Sequence, residues 1–237
     1  RIFLELCQKA DVVVENYRPG VMDRLGLGYD VLHQQNPRLI YAAVSGFGCY
    51  GPYHQRPGYD ILAQAMGGMM AITGPKGGAP TRAGSALGDI LGGLHLAIGI
   101  LAAVNARTIT GEGQRVDVSL MDSMIAATEN TALKYLESGE IPPRMGNRYA
   151  AVSPYDGFRC DDGIVIIACG NQKLYEKLCR EILQRPDLIT DPRFTDMPGR
   201  LEHQDDLQAV IEGWLRGKTM QQATDELLAQ GIPAGPI

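Results

Sequence analysis

The sequence predicts an α/β fold: a large domain built on a parallel sheet, followed by a smaller α+β domain. Three observations predict it. A helix–strand–helix–strand rhythm runs through the first fifty residues, and its strands are short β-branched or apolar runs, the pattern of strands covered on both faces. A long stretch rich in glycine and proline then precedes an apolar helical run, as where loops carry a site. Beyond residue 150, two strand runs flank an Asp161-Asp162-Gly163 turn, a hairpin signal, and amphipathic helices follow.

Each element has a local reason. Ile2, Leu4 and Leu6 give "RIFLELCQKA" a helical spacing, and "DVVVEN" (11–16) reads as a buried parallel strand. "RPGVMDRLGLGYDVLHQQNPR" holds two short helices punctuated by Gly and Pro, and "LIYAAVSGFG" is a second buried strand that ends in glycines. Residues 49–88 are loop-rich around one short helix, "ILAQAMGGMMAI". The run "ILGGLHLAIGILAAVNA" (90–106) is apolar all round and is expected inside an α/β core. It is slightly short for a membrane span and is flanked by Asp89 and Arg107. After the turn "TGEGQR" and the strand "VDVSL", residues 121–140 read as one long helix, capped near Asp122 and ended around Gly139. The passage from Ile141 to Phe158 has a linker composition. The expected organisation is therefore a large domain over 1–121, a linker helix and loop over 122–149, and a small domain over 150–237. In that last part, helices are expected in "NQKLYEKLCREIL", "RLEHQDDLQAVIEGWLRG" and "TMQQATDELLAQG", the last stopped by Gly231 and Pro233.

Both ends of the chain stop in mid-pattern: it opens without Met and closes on "QGIPAGPI". It reads as an internal piece of a longer polypeptide.

Composition narrows the function classes. A net charge of −5 leaves no basic surplus for general nucleic-acid binding. Five scattered cysteines without a C-x-x-C suit free thiols in a reducing cytoplasm, and the chain is expected to be cytoplasmic. The four histidines lie far apart, so no metal is expected. Neither a phosphate-binding loop nor a G-x-S-x-G nucleophile elbow is present.

Two stretches remain. "ENYRPGVMDRLG" (15–26) puts Asn16 and Tyr17 at the end of a predicted parallel strand, where α/β proteins gather ligand groups, with Arg18 and Arg24 around the same turn. A strand-end turn carrying solvated arginines explains the same pattern. "SALGDILGG" (85–93) sets Asp89 alone among small and apolar residues at the expected start of the apolar helix. An N-cap is the simple explanation. Gly88, Gly92 and Gly93 add room for something to approach, and a helix N-terminus favours an ionised carboxylate, the form a nucleophile needs.

Taken together, "ADVVVENYRPGVMDRLGLGYDVLHQQNPRLIYAAVSGFGCYGPYHQRPGYD", "GSALGDILGGLHLAIGILAAVNARTITGEGQRVDVSLMDS" and "MGNRYAAVSPYDGFRCDDG" resemble the class III CoA-transferases along essentially the whole chain. The resemblance implies a Rossmann-like large domain with a parallel sheet, a smaller α+β domain, and an interlocked homodimer of which this chain is a fragment. It implies transfer of CoA from an acyl-CoA to a free carboxylic acid, a small di- or oxo-carboxylic acid, through an aspartyl anhydride and an aspartyl-CoA thioester. The matching nucleophile is Asp89. Asn16, Tyr17, Arg18 and Arg24 match the CoA-binding block, and Arg56, Pro57, Gly58 and Tyr59 match a loop that lines CoA or substrate. Gly146 and Asn147, in "MGNRY", stand where one member of the family carries a glycine-rich loop over its active site. No cofactor is implied, since the coenzyme A thioester is itself a substrate. The partners implied are acyl-CoA, small carboxylates and a second copy of the chain, without nucleic acid or membrane. The alternative on the same scaffold is a 2-methylacyl-CoA racemase, which would need a histidine base. "TRAGSALGD" has none, and His95 lies two turns inside the expected helix.

Overall fold

A computed structural model describes all 237 residues. The chain divides into two compact units, Arg1–Arg144 and Met145–Ile237. Residues 122–144, expected to link two domains, lie within the first unit.

The first unit opens with α1 (Ile2–Cys7), β1 (Val12–Glu15), α2 (Val21–Arg24), α3 (Tyr29–Gln35) and β2 (Ile40–Ser45). It continues through α4 (Asp60–Met66), α5 (Met69–Ile72), α6 (Leu87–Thr110), β3 (Arg115–Ser119), α7 (Leu120–Ala127) and α8 (Asn130–Ser138). The three strands form a parallel sheet with β2 in the middle, Val12 pairing with Ile40 and Ser45 with Ser119. The central position of β2 explains its unbroken apolar run: Leu39, Tyr41 and Ala43 pack with Val13, Met22 and Leu32 on one face, while Val44 packs with Leu87, Leu91 and Leu120 on the other.

Three expectations are corrected here, the first being the one short helix expected over 61–72, which is the pair α4 and α5 interrupted at Gly67 and Gly68. The apolar helix α6 begins at Leu87 and is buried along one face only, through Gly88, Gly92, Leu96 and Ala103. Ile98 and Leu101 on its outer face are 62% and 69% exposed. An all-apolar composition does not reveal that a helix lies on a sheet rather than inside a core. By length and apolar character α6 also meets the requirement for a membrane span. The helix expected over 121–140 is two helices. Ser119, not Asp122, is the N-cap of α7, its Oγ accepting the Asp122 N–H at 3.1 Å, and the chain breaks at Glu129, whose φ is +53°.

The second unit holds β4 (Tyr155–Arg159), β5 (Ile164–Ala168), α9 (Gln172–Lys177), α10 (Met197–Glu202), α11 (Gln204–Leu215), α12 (Met220–Ala229) and β6 (Ala234–Pro236). β4 and β5 form the expected hairpin, and β6 pairs antiparallel with β5. The core gathers Phe158, Val165, Ile167, Leu178, Leu207, Ile211 and Leu227. Arg200 is buried within it. Its Nε donates to the Ser153 carbonyl and Nη1 to the Phe194 carbonyl, and its guanidinium lies over the Tyr175 ring. Thr219 and Gln222 form a capping box at the start of α12.

Candidate active site

The site is built at the carboxyl ends of the parallel strands, where such sheets open a crevice. A cavity of about 560 Å³ is lined there by Asn16, Tyr17, Arg18, Ser45, Gly46, Arg56, Pro57, Gly58, Tyr59, Asp89, Gly93 and Leu120.

One wall is the turn after β1. The Asn16 side chain donates to the Val44 carbonyl at 2.6 Å, which ties the end of β1 to β2. Below it, buried Glu15 accepts the Tyr17 N–H at 2.6 Å and the Tyr41 hydroxyl at 3.2 Å. Burial, with the Glu15 charge adding to it, holds the Tyr41 hydroxyl protonated well above the usual tyrosine range. This anchored carboxylate leaves the side chains of Tyr17 and Arg18 on the cavity. In the sequence Glu15 reads only as the polar end of an apolar strand run, and no local pattern marks it as an anchor.

The facing wall is the loop Arg56–Tyr59. It reaches β2 because Gly46 and Gly58 meet backbone to backbone: a Cβ on Gly46 would come 2.5 Å from the Gly58 Cα. Arg56 extends over the Tyr53 ring, 3.9 Å from its centroid, and Tyr53 meets Phe47 edge-on. Tyr59 is 71% exposed.

Asp89 lies in the first turn of α6, three residues past the N-cap Ala86, so it is not the cap. Asp60 supplies that function from α4: one of its oxygens accepts the Gly88 N–H at 2.8 Å, the other accepts the Gln64 amide at 2.9 Å. Fully buried Gln64 also donates to the Ser85 carbonyl and accepts the Ala83 N–H, which fixes the segment leading into α6. Asp60 and Gln64 act through space, and no local pattern marks them. The room expected around Asp89 is also redistributed. The space beside Gly92 is taken by Leu120 and that beside Gly88 by Asp60 and Ala63; only Gly93 faces open space.

The carboxylate of Asp89 accepts no hydrogen bond. Partial desolvation, and then the charge of Asp60, raise its pKa above the ordinary aspartate value. The position in the first turn of α6 therefore does not bring its pKa below the ordinary value. An unpaired carboxylate of raised basicity is the more reactive nucleophile once ionised. The sign fixes the pH dependence: a step requiring ionised Asp89 fails as pH falls through a value higher than for an ordinary aspartate. Asp60→Asn removes the repelling charge and is expected to move that acidic limb to lower pH, measured as kcat/KM against pH. An unmoved limb would show that Asp60 does not govern Asp89.

A second cavity, about 570 Å³, shares Arg18 and Pro19 with the first and adds Arg24, Tyr29, His54 and Arg115. The guanidinium groups of Arg18 and Arg24 make no ion pair or hydrogen bond. Thus eight sequence-predicted residues (Asn16, Tyr17, Arg18, Arg56, Pro57, Gly58, Tyr59 and Asp89) meet in one cavity, while Arg24 lies in the adjoining one. Gly146 and Asn147 belong to the second unit, where Gly146 has a left-handed φ of +68° at the turn before Arg148. Arg148 pairs with Asp156 at 2.8 Å. No group of three or more His, Cys, Asp and Glu side chains is arranged to hold a metal ion.

The family model for CoA-transferase family III matches residues 1–237. The chain belongs to CoA-transferase family III. It is 43% identical to the acetyl-CoA:oxalate CoA-transferase of Acetobacter aceti, over 100% of this chain and 61% of that protein. It is 41% identical to the succinyl-CoA:mesaconate CoA-transferase of Haloarcula marismortui, over 99% of this chain and 59% of that protein. The crystal structure of a CAIB/BAIF family protein from Brucella suis superposes with a TM-score of 0.85 at 40% identity, covering 100% of this chain and 62% of that one. The family III chain thus spans about three fifths of the length of the curated relatives it matches.

Proposed function

We propose that the protein transfers CoA from an acyl-CoA to a small di- or oxo-carboxylic acid, with Asp89 as covalent nucleophile. The observation that carries this reading is the unpaired Asp89 carboxylate in one cavity with the Asn16–Arg18 turn, beside a second cavity with two free guanidinium groups. The relatives named for transfer to oxalate and mesaconate support the acceptor class.

The chemistry follows from the groups present. Asp89 attacks the thioester carbonyl; the C–S bond breaks, giving an aspartyl–acyl anhydride and CoA thiolate. The thiolate attacks the aspartyl carbonyl of the anhydride, releasing the donor's carboxylate and leaving an aspartyl-CoA thioester. The acceptor carboxylate attacks that thioester, forming a new anhydride and freeing the thiolate again. The thiolate then attacks the acceptor's acyl carbon, which yields the new acyl-CoA and regenerates Asp89. A carboxylate can serve as nucleophile, anhydride partner and thioester carrier in turn; a hydroxyl or thiol cannot.

In this reading the thioester end lies against Asp89 and the phosphates of CoA lie near Arg18 and Arg24, whose forks suit phosphate oxygens. Arg24→Ala is expected to raise the KM for the acyl-CoA donor about tenfold or more, the loss of one charge-assisted hydrogen bond. An unchanged donor KM would make Arg24 a solvated surface charge. The reading as a whole is tested by incubation with donor acyl-CoA followed by hydroxylamine, which converts an aspartyl anhydride or thioester to a hydroxamate. Mass spectrometry is expected to find it on Asp89; modification elsewhere, or none, would count against the mechanism. The racemase alternative requires a histidine base, and no histidine lines the Asp89 cavity. His95 is instead 2.9 Å from the Ser123 hydroxyl.

A further inference from the structure

Three ionisable side chains other than tyrosine line the Asp89 cavity: Asp89, Arg18 and Arg56. Arg18 also lines the second cavity, beside Arg24. Arg56 belongs to the first cavity alone. Its guanidinium makes no ion pair and no hydrogen bond, so its charge is uncompensated within the chain. It is nonetheless held in place, 3.9 Å from the centroid of the Tyr53 ring, which is braced edge-on against the buried Phe47. Contact with a ring face leaves the N–H edge of a guanidinium, with its donors in a fixed fork, free for a carboxylate. The shift of Asp89 is set by partial burial and then by the charge of Asp60. Cation and nucleophile line one cavity without an ion pair between them, and a volume of about 560 Å³ leaves room for a small molecule there.

We propose that Arg56 binds the distal carboxylate of the acid whose other carboxylate reacts at Asp89, so that this cavity selects dicarboxylic over monocarboxylic acids. The proposal rests on the reading of Asp89 as the site of CoA transfer and adds the residue that discriminates among acceptors. Arg56 is exposed, so water solvates its guanidinium when no ligand is bound; a monocarboxylic acid of the same length forgoes the charge-assisted pair that a dicarboxylate gains.

The test compares succinate with butyrate, two four-carbon acids that differ in the distal carboxylate. With the complete natural protein and a saturating acetyl-CoA donor, wild type is expected to prefer succinate. Arg56→Gln is expected to lower the succinate-to-butyrate ratio of kcat/KM at least tenfold, mainly through the KM for succinate. Arg56→Lys, which keeps the charge and loses the fork, is expected to fall between. An unchanged ratio in Arg56→Gln, or a collapse in Arg18→Gln instead, would overturn the proposal. Calorimetric titration with succinate and butyrate separates this from failure of the transfer reading. Binding of succinate that weakens in Arg56→Gln, without turnover in wild type, would sink the transferase function and keep Arg56 as the carboxylate reader. Equal binding by both proteins would sink the inference itself.

Discussion

Asp89→Asn is expected to abolish CoA transfer, by roughly ten-thousand-fold or more, while the protein remains folded. An amide does not open a thioester to form an anhydride, and no other carboxylate lines the cavity to take over. The fold has little reason to change. The Asp89 side chain makes no hydrogen bond, and the start of α6 is capped by Asp60, which the substitution does not touch. The pKa argument sets the sign of the stability effect. The folded-state pKa of Asp89 is raised, so its ionisation opposes folding as pH rises from the unfolded towards the folded value, and that opposition persists above both. The variant lacks it, so its Tm at neutral pH is expected to equal or exceed that of wild type. Near-normal turnover in Asp89→Asn, with deamidation to aspartate excluded by mass spectrometry, would remove Asp89 from the mechanism.

Gly46→Ala is expected to have the second largest effect, and a different one. The added methyl would meet the backbone of Gly58 at 2.5 Å, a distance that a flexible side chain could relieve and a backbone cannot. The loop Arg56–Tyr59 must then move off β2 and widen the cavity. Overpacking of this kind costs about 1–3 kcal/mol of stability, and a displacement of about 1 Å at a reacting site costs on the order of a hundredfold in rate. A lowered Tm together with a kcat/KM loss of that order, for donor and acceptor alike, is the expected result. Wild-type kinetics at wild-type Tm would show that the two backbones are free to separate without consequence for the site.

The strands β1 to β5, the hairpin and helices such as α1, α3 and α12 were legible because each depends on neighbours in sequence, whereas the single helix expected over 200–217 is divided at His203 between α10 and α11. Val12–Val14 and Ile40–Val44 are apolar without alternation, which already implies parallel strands; cover on both faces holds for the central β2, whereas Val14 on the edge strand β1 is 59% exposed. The misjudged helices share one cause. Whether an apolar segment such as 90–106 is enclosed, or lies with one face open, depends on what packs against it. Whether 121–140 is one helix or two depends on a backbone reversal at Glu129, which no breaker residue announces.

For the site, the sequence marked two groups as candidates and the family resemblance gave them roles. "ENYRPG" and "GD" sit where strand ends and a helix start must put them, because parallel topology sends every strand's carboxyl end to the same edge. That they share one cavity with Arg56–Tyr59 was decided by tertiary structure, through the contact of Gly46 with Gly58, twelve positions apart. Tertiary structure also decided the electrostatic state of Asp89. Local sequence assigned it the helix cap and an easy ionisation. Asp60, twenty-nine positions earlier, takes the cap and repels the charge, because α4 lies against the start of α6. The field at a carboxylate is a sum over distances in space, and those distances exist only once the chain has folded.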